Sequence, residues 1–192
     1  MKIEKKMLLC PVLGAALAIF LNTLLSSVNI DRFFPSYTTE VRPWLFRFPV
    51  YVGVLLYGVA TPFMEEVIFR WLLFKRLCVY VTAIAAGAGS AVIFGIYHGN
   101  AVQFIYAFLF GLVLAYAFWR FDALPAPVLI HSAANIYVYV TYFYPLPVFF
   151  GTFAGKVILI LLSGLVSALI LMYFLNTAPE KNVMPEKPFF PK

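Results

Sequence analysis

Charged residues are scarce in this sequence. Asp, Glu, Lys and Arg together make up 11% of the 192 residues, whereas 64% are hydrophobic and 19% are aromatic. A soluble domain carries about 25% charged residues, because its surface must interact with water. This composition excludes an ordinary water-soluble globular fold, and we predict an integral membrane protein.

Cysteine and histidine are rarer still, with two residues of each type. Cys10 and Cys78 lack the spacing of a metal knuckle, and free cysteines pack readily as small apolar residues, which is how we interpret both. The Lys and Arg residues are scattered singly between apolar runs and form no basic stripe, so we predict no nucleic-acid partner.

Long apolar runs dominate the remaining sequence. A helix needs about 20 residues to cross the 30 Å core of a bilayer. Suitable runs lie at 7–28, 45–74, 79–97, 101–119, 125–143 and 156–175. The second is too long for one straight helix, and we expect Gly58 and the pair Thr61-Pro62 to break it. The sequence therefore predicts an all-α bundle of about six transmembrane helices in one domain, 1–176, followed by a flexible cytoplasmic tail, 177–192, in which prolines alternate with charges.

The basic residues predict how the chain is oriented in the bilayer. Loops rich in Lys and Arg stay on the cytoplasmic side. With the N-terminus inside, the cytoplasmic side carries Lys2, Lys5, Lys6, Lys75, Arg76, Arg120, Lys181, Lys187 and Lys192, and the other side carries Arg32, Arg42, Arg47 and Lys156. We therefore predict that both termini are cytoplasmic. The small size and the absence of an Asn-x-Ser/Thr glycosylation site favour a prokaryotic cell membrane.

A few ionisable residues lie inside or beside the apolar runs: Glu65, Glu66, Arg70, His98 and His131. A charge in the middle of a membrane costs about 2.5 to 3.5 kcal/mol on insertion scales, so such groups are expected to pair and to be functional. Glu66 and Arg70 are four residues apart on one helix face and should form an ion pair. Glu65 then points about a hundred degrees away, toward a cavity.

Two further pairs of residues share a helix face. Phe94 and His98 are four residues apart, and so are His131 and Asn135. Residues at this spacing lie on the same side of a helix. His131 and Asn135 are therefore placed to address one ligand atom together.

These motifs resemble the CPBP family of CAAX proteases and bacteriocin-processing proteins, also called Abi, which includes the type II CAAX prenyl endopeptidases. The family pattern is Glu-Glu-x-x-x-Arg, then Phe-x-x-x-His, then His-x-x-x-Asn on successive membrane helices. The sequence matches it in order at Glu65-Glu66 to Arg70, at Phe94 to His98 and at His131 to Asn135. The resemblance covers about 45–143, the expected catalytic core.

The resemblance implies a glutamic-type intramembrane protease that hydrolyses a peptide bond. Glu65 and His98 would activate a water molecule, and His131 with Asn135 would stabilise the oxyanion. In a dry site, removing one oxyanion donor typically costs about 10² to 10³ in rate. The implied mechanism needs no serine or cysteine nucleophile.

The resemblance also assigns supporting roles and a class of substrate. Glu66, Arg70 and Phe94 would support the catalytic groups, and no metal or other cofactor is expected. The substrate would be a protein or peptide presented at the lipid bilayer. A prenylated CAAX tail, a bacteriocin leader peptide and a C-terminal sorting tail are all compatible with the family.

Two other classes of function compete with the protease. Glu65, His98 and His131 would supply a carboxylate and two imidazoles to zinc in a metal-dependent hydrolase, although the His-Glu-x-x-His signature is absent. A non-catalytic protein is the other alternative. It would be a proton-coupled transporter with a Glu and His relay, or an immunity or scaffold protein.

The predicted spans create a difficulty of depth. In straight helices of equal depth, His98 would end near the outer face, whereas His131 would lie only about 9 Å above the inner one at 1.5 Å per residue. The two histidines meet only if the third span is strongly tilted, if 95–100 form a re-entrant turn, or if the helices differ in depth.

Overall fold

A computed structural model describes residues 5–177. In this part the chain forms six long helices: α1 (Lys5–Ser27), α2 (Val50–Leu77), α3 (Ala83–Tyr97), α4 (Ala101–Phe121), α5 (Pro125–Phe143) and α6 (Phe153–Asn176). These residues contain no β-strand, and the predicted all-α bundle is confirmed. Of the predicted tail, 178–192 lie outside the described residues.

Four helices, α1, α2, α4 and α6, are long and apolar enough to cross a membrane. They have between 21 and 28 residues, and at 1.5 Å per residue the shortest extends about 31 Å. Helix α3 is apolar but has only 15 residues, and α5 has 19. The four long helices support an integral membrane protein, in which α3 and α5 complete the bundle.

Contacts between helix ends define one side of the bundle, which we name the terminal face. Lys6, at the start of α1, donates a hydrogen bond to the carbonyl of Thr177, just after α6, at 3.2 Å. Arg120, near the end of α4, donates to the carbonyls of Thr177 and Phe174. The start of α1 therefore meets the ends of α4 and α6. The positive charges of Lys6 and Arg120 also stabilise the negative, C-terminal end of the α6 helix dipole.

The opposite side of the bundle is the loop face. There Lys156, at the start of α6, donates to the hydroxyl of Ser26, near the end of α1, at 3.2 Å. The ring of Phe46, in the segment before α2, stacks on Tyr142 near the end of α5 with 3.8 Å between ring centroids. Neighbouring helices in sequence thus run in opposite directions, and the turn at 99–100 between α3 and α4 also belongs to the loop face.

The helices pack in two groups that share α5. Helix α1 packs against α5 and α6, and α3 packs against α4. The first half of α2 lies on α5, and Gly53 makes this contact possible, because a methyl group there would overlap the Tyr139 ring. The hydroxyl of Tyr139 donates to the carbonyl of Phe48 at 2.9 Å, just before α2 begins. Helices α2 and α5 are therefore held at close range near the loop face.

The predicted break of the second span at Gly58 and Thr61-Pro62 is wrong. Helix α2 is continuous through these positions. The chain is instead interrupted upstream, between a short helix at Arg42–Leu45 and the start of α2 at Val50. Pro49 occupies the position before the first turn in an extended conformation, with ψ at 153°.

Helix α2 accommodates its proline by changing its winding. An α-helical segment, Thr61–Glu66, lies between two π-helical segments, Val54–Ala60 and Val67–Phe74. In the first π segment the N–H of Thr61 bonds to the carbonyl of Leu56, five residues earlier. Pro62 therefore falls in the first turn of a new α segment, where a missing N–H is tolerated. Such π turns occur frequently at functional sites.

Candidate active site

The side chains predicted to be catalytic converge on one cavity of about 960 Å³. Its lining includes Glu65 from α2, His98 from the end of α3, and His131 and Asn135 from α5. It continues past the 37–42 segment and the turn at 99–100 to the loop face. Of the three supporting residues, Phe94 is part of the lining, whereas Glu66 and Arg70 are fully buried behind it.

The short helix α3 removes the predicted difficulty of depth. Its 15 residues extend about 22 Å, which is less than the thickness of the hydrocarbon core. His98 follows its last residue and therefore lies within the bundle. The ring of Phe94 contacts both histidine rings edge-on, with centroid distances of 4.8 Å to His98 and 5.7 Å to His131. Unequal helix length brings the two imidazoles to the same region.

A buried ion pair lies behind the cavity, as the spacing predicted. Arg70 donates from Nη1 to Oε1 of Glu66 at 2.9 Å, and neither side chain is exposed. Arg70 also donates from Nη2 to the carbonyl of Gly111 on α4 at 3.1 Å, and its guanidinium lies 4.5 Å from the centroid of the Phe94 ring. A Cβ atom on Gly111 would lie 3.1 Å from Nη2, so the glycine leaves room for this contact.

Both glutamates contact the imidazole of His131. Its Nδ1 lies 2.8 Å from Oε1 of Glu66, and its Nε2 lies 3.6 Å from Oε2 of Glu65. The sequence had assigned Glu66 to Arg70 alone. In the structure Glu66 also holds His131 in place, so that the second ring nitrogen of this histidine is directed toward Glu65.

The hydrogen bonds restrict the protons of this cluster. Glu66 accepts from Arg70 as a carboxylate, so Nδ1 of His131 carries a proton and donates to it. Nε2 of His131 and Oε2 of Glu65 face each other across 3.6 Å, so a proton on either atom would lie next to the other.

The orientation of His98 is fixed by the backbone of its own helix. Its Nδ1 donates to the carbonyl of Phe94 at 2.8 Å. In a neutral imidazole the other nitrogen is then an acceptor. Within residues 5–177 this Nε2 makes no hydrogen bond, and the residue lines the cavity. His98 therefore offers the cavity an available lone pair.

Asn135 is fixed by a backbone carbonyl on the neighbouring helix. Its Nδ2 donates to the carbonyl of Tyr57 in α2 at 2.9 Å. A side-chain amide has two N–H donors, and the second has no partner among the described residues. Asn135 thus brings one unused donor to the cavity lining.

Sequence reasoning missed the carbonyls of Tyr57 and Gly111. Every residue type carries a carbonyl, so side-chain identity gives no indication that one of them serves the site. For Tyr57 the sequence gives a weak indication that its carbonyl is available, because Pro62, five residues later, has no N–H to donate to it. For Gly111 the absence of a side chain is the only indication.

The structure does not assemble the donor set that the zinc alternative requires. Within the described residues, no group of three or more His, Cys, Asp and Glu side chains is arranged to hold a metal ion. Of the three proposed ligands, Glu65 contacts His131, and the ring of Phe94 packs against the imidazoles of both histidines. The geometry therefore gives the zinc hydrolase no support.

Comparisons with known proteins identify relatives of the part of the chain that carries the site. Residues 47–137 match the family model described as "Type II CAAX prenyl endopeptidase Rce1-like". Over 85 residues the chain is 28% identical to "Putative membrane peptidase YdiL" of Bacillus subtilis strain 168. That alignment covers 44% of this chain and 35% of the relative, so the chain spans about a third of the relative's length. No solved structure matches.

Proposed function

This chain belongs to the family of CAAX proteases and bacteriocin-processing proteins, and from that premise we propose that it is an intramembrane endopeptidase of the glutamic type. One observation carries the proposal. Glu65, His98, His131 and Asn135 come from three helices, yet all of them line a single cavity. Charged and polar side chains inside a membrane bundle are costly, and their convergence is typical of a functional site.

In the proposed reaction a water molecule attacks the carbonyl carbon of the scissile peptide bond. Glu65 accepts the proton of this water as general base, and the lone pair on Nε2 of His98 orients the water or takes the proton in its place. This requires Glu65 to be the carboxylate of the pair it forms with His131. His131 then carries the proton on Nε2 and is a hydrogen-bond donor.

The same protonation state prepares the oxyanion site. The tetrahedral intermediate places a negative charge on the former carbonyl oxygen, and the donors for it are Nε2–H of His131 and the second N–H of Asn135. When the C–N bond breaks, the proton taken from the water passes to the leaving amine. Proton balance is therefore maintained without a covalent intermediate, a metal or a cofactor.

Glu66 and Arg70 have a supporting role in this mechanism. A protonated His131 needs a counter-charge in a buried site, and Glu66 supplies it at 2.8 Å. Arg70 holds Glu66 from the other side and is itself held by Gly111 and the Phe94 ring. The oxyanion donor is thus fixed before the substrate arrives, which is the basis of electrostatic preorganisation.

The orientation of the chain decides from which side substrates reach the cavity. We propose that the terminal face is cytoplasmic, in the cell membrane of a prokaryote. Of the described basic residues, this face carries Lys5, Lys6, Lys75, Arg76 and Arg120. The cavity extends to the loop face, so substrates would enter from the non-cytoplasmic side. We propose that the substrate is a peptide or protein tail presented to the cavity on that side; a leader peptide, a C-terminal sorting tail and a prenylated CAAX tail are the candidates.

Complementation of a deletion host tests the activity and identifies the substrate. The intact masses of membrane-associated proteins are compared between hosts that express wild type, Glu65→Gln or His98→Ala at equal levels. Asp122→Asn is the matched control, because this acidic residue lies on the terminal face, away from the cavity. We expect processing with wild type and Asp122→Asn alone, and the unprocessed species then names the substrate.

The opposite result assigns the site to another class of function. If Glu65→Gln and His98→Ala process as well as wild type, both residues are structural, and a non-catalytic immunity, scaffold or proton-coupled protein replaces the protease. If processing depends on a bound metal in the purified protein, the zinc hydrolase replaces it.

A further inference from the structure

The carbonyl of Tyr57 has no partner within its own helix. In the π segment of α2 a carbonyl pairs with the N–H five residues later, as the bond from Thr61 N–H to the carbonyl of Leu56 shows. The next bond in this register would come from residue 62 to Tyr57. Residue 62 is proline, which has no N–H. The α-helical alternative is also closed, because Thr61 already donates to Leu56.

Asn135 takes the place of the missing helix donor. Its Nδ2 donates to the carbonyl of Tyr57 at 2.9 Å from the facing helix α5. A carbonyl without a partner inside a membrane bundle is costly, so this partly buried contact is favourable for α2 as well as for Asn135. Tyr57 and Asn135 both contribute to the cavity lining.

We propose that Pro62 is a positioning residue for the oxyanion site. By leaving the carbonyl of Tyr57 free, it fixes one N–H of the Asn135 amide. The amide is planar, so fixing one N–H also fixes the direction of the other, which is the donor that faces the substrate oxygen. The inference rests on the proposed function, in which this second N–H stabilises the oxyanion.

Pro62→Ala tests this role, because it returns an N–H to the interior of α2. The new donor competes with Asn135 for the carbonyl of Tyr57 and leaves the amide free to rotate. We expect kcat for the processed substrate to fall about tenfold with little change in KM, since misplaced groups affect the transition state most. Thermal stability should be unchanged or higher, because alanine is the better helix former. A merely structural proline would not combine lower activity with equal or greater stability.

Pro127→Ala is the matched control. Pro127 is as fully buried as Pro62 but lies in the first turn of α5, where an N–H has no helical partner to bond. This variant should process at the wild-type rate. In an Asn135→Ala background, Pro62→Ala should cause no further loss, because the amide that it would release is already absent.

A second measurement detects the hydrogen bond between Asn135 and the carbonyl of Tyr57 directly and does not depend on activity. In protein labelled with ¹⁵N-asparagine and held in detergent micelles, the side-chain amide signal of Asn135 is assigned by its loss in Asn135→Ala. We expect Pro62→Ala to shift this signal and Pro127→Ala to leave it unchanged.

Three outcomes would overturn the inference. The first is an Asn135 signal that Pro62→Ala does not shift. The second is an equal loss of processing from Pro62→Ala in the wild-type and Asn135→Ala backgrounds. The third is full processing by Asn135→Ala where Glu65→Gln is inactive, which would leave the protease intact and remove only its amide donor. Full processing by Glu65→Gln would instead refute the proposed function itself.

Discussion

The two adjacent glutamates should respond very differently to the same substitution. Glu66 is fully buried and accepts hydrogen bonds from Arg70 at 2.9 Å and from His131 at 2.8 Å. Glu66→Gln preserves the shape of the side chain but leaves the buried guanidinium of Arg70 without its counter-charge. Breaking a buried pair in this way costs about 3 to 5 kcal/mol. Glu65 has only a 3.6 Å contact to His131 and faces the cavity, so Glu65→Gln should cost about 1 kcal/mol or less.

The free energy of unfolding of the purified protein in detergent micelles measures this difference. Denaturant titrations followed by tryptophan fluorescence are suitable for the wild type and both variants. We expect a large loss for Glu66→Gln, and near wild-type stability with no processing for Glu65→Gln. In the double variant Glu66→Gln/Arg70→Met both charges are absent, and much of the lost stability should return.

The reverse pattern would refute this division of roles. If Glu65→Gln unfolds as readily as Glu66→Gln, the first glutamate is part of the structural pair and is not free to act as a base. If Glu66→Gln is as stable as wild type, Arg70 does not depend on Glu66 for its charge balance, and the described ion pair is not the element that supports His131.

Two further predictions concern the packing around Arg70 and the orientation in the membrane. Gly111→Ala should destabilise the protein by about 1 to 3 kcal/mol, because the added Cβ atom would lie 3.1 Å from Nη2 of Arg70. Gly151→Ala is the control and should be neutral, because a Cβ atom there would have no neighbour within 4 Å. Equal stability of both variants in the same titrations would contradict the close packing around Arg70. In a cysteine-free background, Val148→Cys on the loop face should react with a membrane-impermeant maleimide in intact cells, and Asp122→Cys only after permeabilisation; the opposite result would reverse the proposed orientation.

Local spacing in the sequence predicted the parts of the site that depend on one helix. The pairing of Glu66 with Arg70 follows from a separation of four residues, and the structure contains that bond. The shared face of Phe94 and His98 is likewise present, with the carbonyl of Phe94 accepting from the His98 ring. Such contacts depend only on the geometry of an α-helix, so they can be predicted from the sequence without knowledge of the fold.

Contacts between helices could not be predicted from residue spacing in the sequence. The bond from His131 to Glu66 joins residues 65 positions apart and depends on how α5 is rotated against α2. The winding of α2 was also missed. A proline in a long apolar run predicts a break, but the π turns of this helix retain its continuity across Pro62. The depth of His98 depended on the length of α3, whose first helical residue, Ala83, lies four positions after the predicted start of the span.

The rate at which the purified protein cleaves the substrate found by complementation tests the catalytic role of Glu65 directly. Wild type and Glu65→Gln are compared in detergent micelles, each before and after treatment with a metal chelator. We expect chelation to have no effect, and the Glu65→Gln variant to be slower by about 10² to 10⁴, which is the usual contribution of a general base. Cleavage by Glu65→Gln at a rate close to that of wild type, or activity that chelation removes and zinc restores, would contradict the role of Glu65 as the general base of a metal-independent protease.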